Sequence, residues 1–236
     1  MLIDGDNAQS ALIEAILSET SRYGLLTMRR IYGDWTEPTM KGWKETLHHH
    51  AVQPIQQFRY TVGKNVTDSA LIIDAMDILY EGVVDGFCLV TSDSDYTRLA
   101  TRIREKGLFV MGIGRKDTPR AFVNACEVFI YTENLAGKTE NSGASALAPR
   151  RRDAAAPLSE PPATLRTAVE MAAQEDGWAS LGSVGNMIQR QDPGFDPRTF
   201  GHRTLSRLVR AYPDVFEVRE TKRKGGPSSI YVKLSD

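Results

Sequence analysis

Cysteine is nearly absent from this chain: Cys88 and Cys126 are the only two in 236 residues. Each sits in an apolar run, GFCLV and NACEVFI, which suits buried thiols in a reducing compartment and excludes a disulfide-built scaffold. No Cys/His set with zinc spacing accompanies them. Long apolar runs are missing too, and nothing approaches the roughly 18 to 20 residues of a membrane span. The N-terminus lacks a basic segment followed by an apolar one, so no export signal is read and a cytoplasmic protein is expected. Net charge is small, at −1, but unevenly placed. Residues 1 to 135 hold 14 Lys+Arg against 18 Asp+Glu, and residues 162 to 236 hold 11 against 9. Neither balance marks a nucleic-acid binder, so the local placement of acids for metal and of Arg and Lys for phosphate has to decide.

What is present is enough apolar residue, 41%, for one large or two modest cores. Residues 136 to 161 are rich in Ala, Ser, Gly and Pro with no apolar period, which reads as a flexible linker. Its Arg150, Arg151 and Arg152 read first as solvated linker charge, second as a phosphate contact. Ahead of it, apolar runs alternate with amphipathic helical patterns, the mark of a parallel sheet covered by helices. The predicted strands are Leu2 to Asp4, Leu26 to Tyr32, Val52 to Phe58, Phe87 to Thr91, Phe109 to Ile113 and Val128 to Tyr131. The predicted helices are Ala8 to Tyr23, Met40 to His50, Thr67 to Tyr80, Ser94 to Lys106 and Pro119 to Cys126, with Thr67 as a cap and Asp95 in a first turn. The first strand is shorter than the about five residues usual in a core; either the domain begins upstream of Met1 or the translation start is misplaced, and the sequence leaves both open. Behind the linker, three short helical patterns (Leu165, Val169, Ala172; Leu181, Val184, Ile188; Leu205, Leu208, Val209) and two strands, Val215 to Arg219 and Ile230 to Leu234, make a smaller winged-helix-like domain.

In a parallel sheet, side chains at the carboxyl ends of strands from separate crossovers converge on one crevice. Asp4 ends the first predicted strand, Asp93 and Asp95 follow the VTSDSD strand end, and Asp68 begins the helix leading to it. A single such acid is more often a helix cap; four together need a cation, and hard oxygen ligands select Mg2+ or Mn2+. Such an ion would lower the pKa of a water and stabilise charge on a phosphate. Lys64, four residues ahead of Asp68, is placed to hold a phosphate, and Asn7 to fix Asp4 or a water.

The segments that carry these acids, IDGDN, KNVTDSALIIDAMDILY and LVTSDSDYTRLATRIREKG, resemble the three motifs of the NYN domain family, in the PIN-like nuclease superfamily. The resemblance covers about residues 1 to 135. It implies a PIN-like three-layer α/β sandwich and a divalent-metal ribonuclease site, with Asp4, Asp68, Asp93 and Asp95 at the family's acidic positions and Asn7 at its asparagine. Asp6 and Asp74 also fall within the motifs, Asp74 equally as a packing acid. Thr91-Ser92 stands where Ser-Gly is common, and Tyr96 where Phe is common. His48 to His50 read as a polar helix end, and the turn Gly112 to Lys116 as either a strand end or a phosphate cradle.

From Trp178 to Leu234 the chain resembles the OST-HTH domain, also called LOTUS, over about residues 162 to 236. This implies an RNA-binding winged helix, sometimes a protein-docking one. A helix from about Thr199 to Tyr212 would carry Arg203, Arg207 and Arg210 as a basic stripe, and Lys222, Arg223 and Lys224 would sit at a hairpin tip. Trp178, Phe195, Phe200 and Phe216 read as core. The reading is a metal-dependent ribonuclease with RNA held partly by the second domain. Its rivals are a catalytically silent RNA adaptor and, from Asp4-Gly5-Asp6, a HAD-like phosphatase with an aspartyl-phosphate at Asp4.

Overall fold

A computed structural model describes residues 1–58, 66–136, 160–221 and 229–235. The chain falls into two compact units, Met1–Ala144 and Ser145–Asp236.

The first unit is built on six parallel strands in the order β3-β2-β1-β4-β5-β6. These are β1 (Leu2–Asp4), β2 (Arg30–Gly33), β3 (Gln53–Gln56), β4 (Gly86–Val90), β5 (Phe109–Gly114) and β6 (Val128–Tyr131). Successive side chains along a strand point to opposite faces, so the nearly continuous apolar runs feed two cores. Leu2, Phe87, Leu89, Val110 and Phe129 pack on one face beneath α3 (Val66–Glu81), α4 (Thr97–Glu105) and α5 (Arg120–Ala125). Ile3, Cys88, Val90, Met111 and Ile113 pack on the other beneath α1 (Ile13–Thr20), α2 (Lys41–His50) and α6 (Glu133–Ala136). The result is a three-layer α/β sandwich. Both cysteines are buried and unpaired. The chain runs outward in one direction from β1 to β3 and in the other from β4 to β6, so the β1/β4 seam is the switch point where a crevice opens at the strand ends.

Several elements are shorter than their apolar patterns. The Leu26 to Tyr32 run forms strand only from Arg30, because β1 offers its first ladder partner there, Leu2 opposite Arg30. Leu26 to Arg29 are instead irregular, with Thr27 N–H donating to Leu25 O. β3 is an exposed edge that tolerates Pro54. Thr67 is not a cap: α3 starts at Val66, and the Thr67 hydroxyl is buried without a hydrogen-bond partner among the described residues. A cavity of about 360 Å3 opens beside Met1, Leu2, Phe87 and Phe109; none of the cluster acids is in its wall.

The second unit comprises α7 (Ala163–Ala172), β7 (Ala179–Ser180), α8 (Leu181–Gln191), a 3-10 turn (Pro197–Phe200), α9 (Leu205–Arg210), β8 (Phe216–Thr221) and β9 (Ser229–Leu234). Its antiparallel sheet has the order β7-β9-β8. Leu165, Val169, Val184, Ile188, Leu208, Phe216 and Val232 form the core. The long helix expected from Thr199 breaks. Gly201 adopts a left-handed conformation at φ 80, and Thr204 restarts the helix by accepting the Arg207 N–H through its side chain. The two-residue β7 is too short to show an alternation in sequence.

No helix among the described residues is long and apolar enough to cross a membrane.

Candidate functional site

Asp4 ends β1 and is completely buried. Its Oδ2 accepts from Asn7 Nδ2 at 2.7 Å and from Thr91 Oγ1 at 2.9 Å, and its Oδ1 accepts the Asp6 N–H at 3.1 Å. The chain can turn away so tightly because residue 5 is glycine: a Cβ there would lie 2.7 Å from the Tyr32 carbonyl oxygen of the neighbouring strand. Thr91, just beyond β4, also accepts the Asp93 N–H at 3.1 Å, so one hydroxyl ties the ends of both central strands together. A Cβ at Gly114 would clash with the Thr91 carbonyl oxygen, which keeps that position glycine as well.

Asp93 caps a 3-10 turn, Ser94–Tyr96, by accepting the Asp95 N–H at 2.9 Å. The capping reading of that acid therefore holds beside any functional one. The turn drives Tyr96 fully into the core, and its hydroxyl donates to Asp68 Oδ1 at 2.7 Å from beneath the first turn of α3. Thr91 and Tyr96 are the site residues that sequence reasoning passed over. Both were visible as departures, Thr for Ser and Tyr for Phe, and each adds a buried donor aimed at an acid.

The acids feel one another. Burial, the largest cause, pushes the Asp4 carboxyl above its ordinary range; the Asn7 and Thr91 hydrogen bonds pull it back, and Asp68 and Asp6 push it up again. Burial also leads for Asp68, opposed by the Tyr96 hydroxyl and reinforced by Asp93, Asp6 and Asp95. Burial and the surrounding acids drive the Tyr96 hydroxyl far up, so it stays a donor. Among the described residues, Asp4, Asp68 and Asp93 accept only from neutral donors. An all-carboxylate set of mutually repelling, partly desolvated groups is chemically suited to a hard divalent cation. Among the described residues, however, no three His, Cys, Asp or Glu are arranged to hold a metal ion: the acids are neighbours rather than a formed chelate.

Other candidates resolve differently. Lys64 lies outside the described residues, as do Arg150 to Arg152 and most of the expected linker. Asp74 sits on α3, where it pairs with Arg30 Nη1 at 2.5 Å and accepts from the Tyr32 hydroxyl, so it anchors the helix to β2. The Gly112 to Lys116 turn is no phosphate cradle, because the Arg115 N–H is taken by Ser92 Oγ and the Lys116 N–H by Glu133 Oε1. His48 to His50 form the last turn of α2. In the second unit Arg203, Arg207 and Arg210 are all exposed, but Arg203 precedes the cap of α9, which leaves two of the three arginines on the helix. Arg210 is paired with Glu220 at 3.2 Å. Lys222, Arg223 and Lys224 lie outside the described residues. Phe195, Phe200 and Phe216 join the core, whereas Trp178 does not; it lies beneath the Arg219 guanidinium.

Six parallel strands between two helical layers, with acids at the β1/β4 seam, make the first unit a PIN-like α/β domain. The NYN domain family model matches residues 1–135, more than half of the chain, and the chain belongs to the NYN domain family of that nuclease superfamily. The OST-HTH/LOTUS domain model matches residues 156–227, so a domain of that kind follows the NYN domain, in the order its motifs suggested. Among solved structures, the chain is similar to a crystal structure of a protein of unknown function from Vibrio parahaemolyticus, at 17% identity over 54% of this chain and 88% of that one, with a TM-score of 0.46. It is also similar to the solution structure of an uncharacterized protein from Nitrosomonas europaea, at 27% identity over 39% of this chain and 91% of that one, with a TM-score of 0.30. Comparison with curated proteins gives no match.

Proposed function

We propose that the chain is a divalent-metal-dependent ribonuclease, with the NYN domain cutting and the OST-HTH domain capturing RNA and so raising its local concentration. The observation that carries this is the gathering of Asp4, Asp68 and Asp93 at the ends of the central strands, where among the described residues they accept only from neutral donors. A fold tolerates such a cluster when a cation completes it. Asp4, Asp68, Asp93 and Asp95 would hold the ion, Mg2+ or Mn2+ by their oxygen chemistry. When bound, it would supply an activated water and neutralise charge on the scissile phosphate. The protein's own contribution is orientation: Asn7 and Thr91 fix Asp4, and Tyr96 fixes Asp68 while opposing the upward push of burial on its carboxyl.

A second reading, an RNA adaptor without turnover, draws on the lack of a ready-made chelate among the described residues. Cleavage of single-stranded, structured and G-rich RNAs with Mg2+ or Mn2+, beside EDTA controls and the Asp93→Asn variant, separates the two. Cleavage should be metal-dependent and fall about a thousandfold or more in the variant. RNA binding with no cleavage under any metal, or an unchanged variant, would overturn the enzyme reading.

A further inference from the structure

The three-stranded sheet of the second unit has one face on the core and one turned away from it. Ala179, Val232, Val218 and Phe216 belong to the core or pack on it. Alternation along each strand therefore sends Ser180, Tyr231, Lys233, Arg219 and Glu217 outward. The register places Arg219 opposite Tyr231, and Tyr231 opposite Ser180 on the other side. Trp178, immediately before β7, joins them. Its ring lies under the Arg219 guanidinium at 4.5 Å, and the Tyr231 ring is 5.8 Å from the same group.

Three features distinguish this face from ordinary sheet surface. Neither Trp178 nor Tyr231 is among the residues that build or pack on the core, although the phenylalanines of the same unit are. The turn that presents Trp178 is closely fixed: Gly177 adopts φ 78, Gly177 N–H donates to Gln174 O, and Trp178 N–H donates to Asp176 Oδ1 at 3.1 Å. The Lys233 stem lies against it, since a Cβ on Gly177 would meet Lys233 Cε at 3.1 Å. Finally, Arg219 is exposed and makes no ion pair among the described residues, whereas Arg198 and Arg210 each have a carboxylate partner.

We propose that this face, centred on Trp178, Arg219 and Tyr231 with Lys233 at its margin, is a base-stacking site for single-stranded RNA. The proposal rests on the reading of the chain as one that acts on RNA, and it puts the contact on the sheet rather than on the α9 arginines. An unpaired base offers a flat π surface that stacks on tyrosine or tryptophan rings and on a guanidinium plane, and its phosphate suits a nearby exposed cation. Lys233 lies opposite Glu217 in the register, which leaves the exposed Arg219 as the group on this face suited to an anionic ligand. Bases inside a duplex are already stacked on one another, so the site selects single strands. A purely structural role, cross-strand pairing that steadies the sheet, would move stability and leave RNA affinity alone.

The test uses the full chain carrying Asp93→Asn, in EDTA so that RNA stays intact, with anisotropy of a fluorescein-labelled oligoadenylate and of an RNA duplex. Arg219→Ala and Tyr231→Ala should each weaken oligoadenylate binding by between about fivefold and about a hundredfold, the span of one lost base stack. Tyr231→Phe, which keeps the ring, should stay within about twofold, while Arg219→Lys, which keeps charge but loses the plane, should fall with the alanine variant. Thermal melting should show every variant folded. Parent-like affinity in both alanine variants would overturn the site and leave the face to a protein partner. Equal losses on duplex RNA would overturn stacking in favour of simple charge. A parent that binds no RNA at all would overturn the RNA reading itself, a result distinct from either.

Discussion

The acidic seam of the first unit and the outer sheet face of the second organise polar residues in opposite ways. At the seam Asp4 is completely buried, Asp68 is partly buried, and the donors that reach them are themselves rigid: Asn7 beside its own strand, Thr91 at a strand end, Tyr96 sunk in the core. On the sheet face Arg219 is exposed, held by ring stacking and register. The seam is organised at a cost in stability, because like charges are gathered and partly desolvated. The face is organised at almost none, because an exposed cation keeps its water. Substitutions at the seam should therefore separate activity from stability, and those on the face should leave stability unchanged.

The largest effect on cleavage expected, after loss of the acids Asp93 and Asp68 themselves, is from the donors. Asn7→Ala and Thr91→Val each remove a hydrogen bond to Asp4 without removing a carboxylate. By analogy with groups that orient metal ligands, each should lower cleavage by about ten- to a hundredfold. Thr91→Val should also lower the melting temperature, since it leaves the Asp93 N–H without its acceptor. Steady-state kinetics and melting curves of both variants check this, and unchanged rates would mean that Asp4 needs no orienting.

Asp68→Asn sharpens the contrast through pH. The Asp68 carboxyl is raised, first by burial, so the folded state holds its proton more tightly than the unfolded chain does. Its contribution to stability is full below the unfolded pKa, about 4, and is lost as pH rises through the higher folded value. At neutral pH the charged side chain thus weakens the metal-free fold. Asparagine can still accept from Tyr96, so the variant should melt above the parent at pH 7 in EDTA while losing cleavage. The gain should be below about 1 kcal/mol, because Asp68 is only partly buried, and it should vanish near pH 3.5 to 4. A variant less stable than its parent at pH 7 would contradict the raised pKa.

Much of this was legible from periodicity. The order of elements, the two apolar faces and the acids at strand ends follow from alternation and from the parallel-sheet rule, and Asp4 and Asp93 stand at the seam for that reason. What stayed hidden was pairing. Leu26 to Arg29 have strand-like composition but no ladder partner on β1, so β2 begins at Arg30. Asp74 reads equally as a site acid and as a packing acid, and Arg30 and Tyr32, more than forty residues earlier, decide for packing. Trp178 reads as core because it falls at an element boundary with apolar neighbours; a two-residue strand and a left-handed glycine turn it outward. The arginines near α9 looked like one stripe because a restart at Thr204 leaves no mark in helical spacing.

That last point leads to the smallest effect. Arg210 is exposed and paired with Glu220, also exposed, at 3.2 Å. Such surface pairs contribute about 0 to 1 kcal/mol, and removing one partner costs little because water replaces it. Arg210→Ala should accordingly shift stability by less than about 0.5 kcal/mol and weaken oligoadenylate binding by less than about threefold, the scale of a single screened phosphate contact rather than of a stack. The double-mutant cycle with Glu220→Ala measures the pair directly. If Arg210→Ala cost as much RNA affinity as Arg219→Ala, the basic helix and not the sheet face would be the principal contact, and the division between a buried, strained seam and an exposed, unstrained stacking face would have to be redrawn around α9.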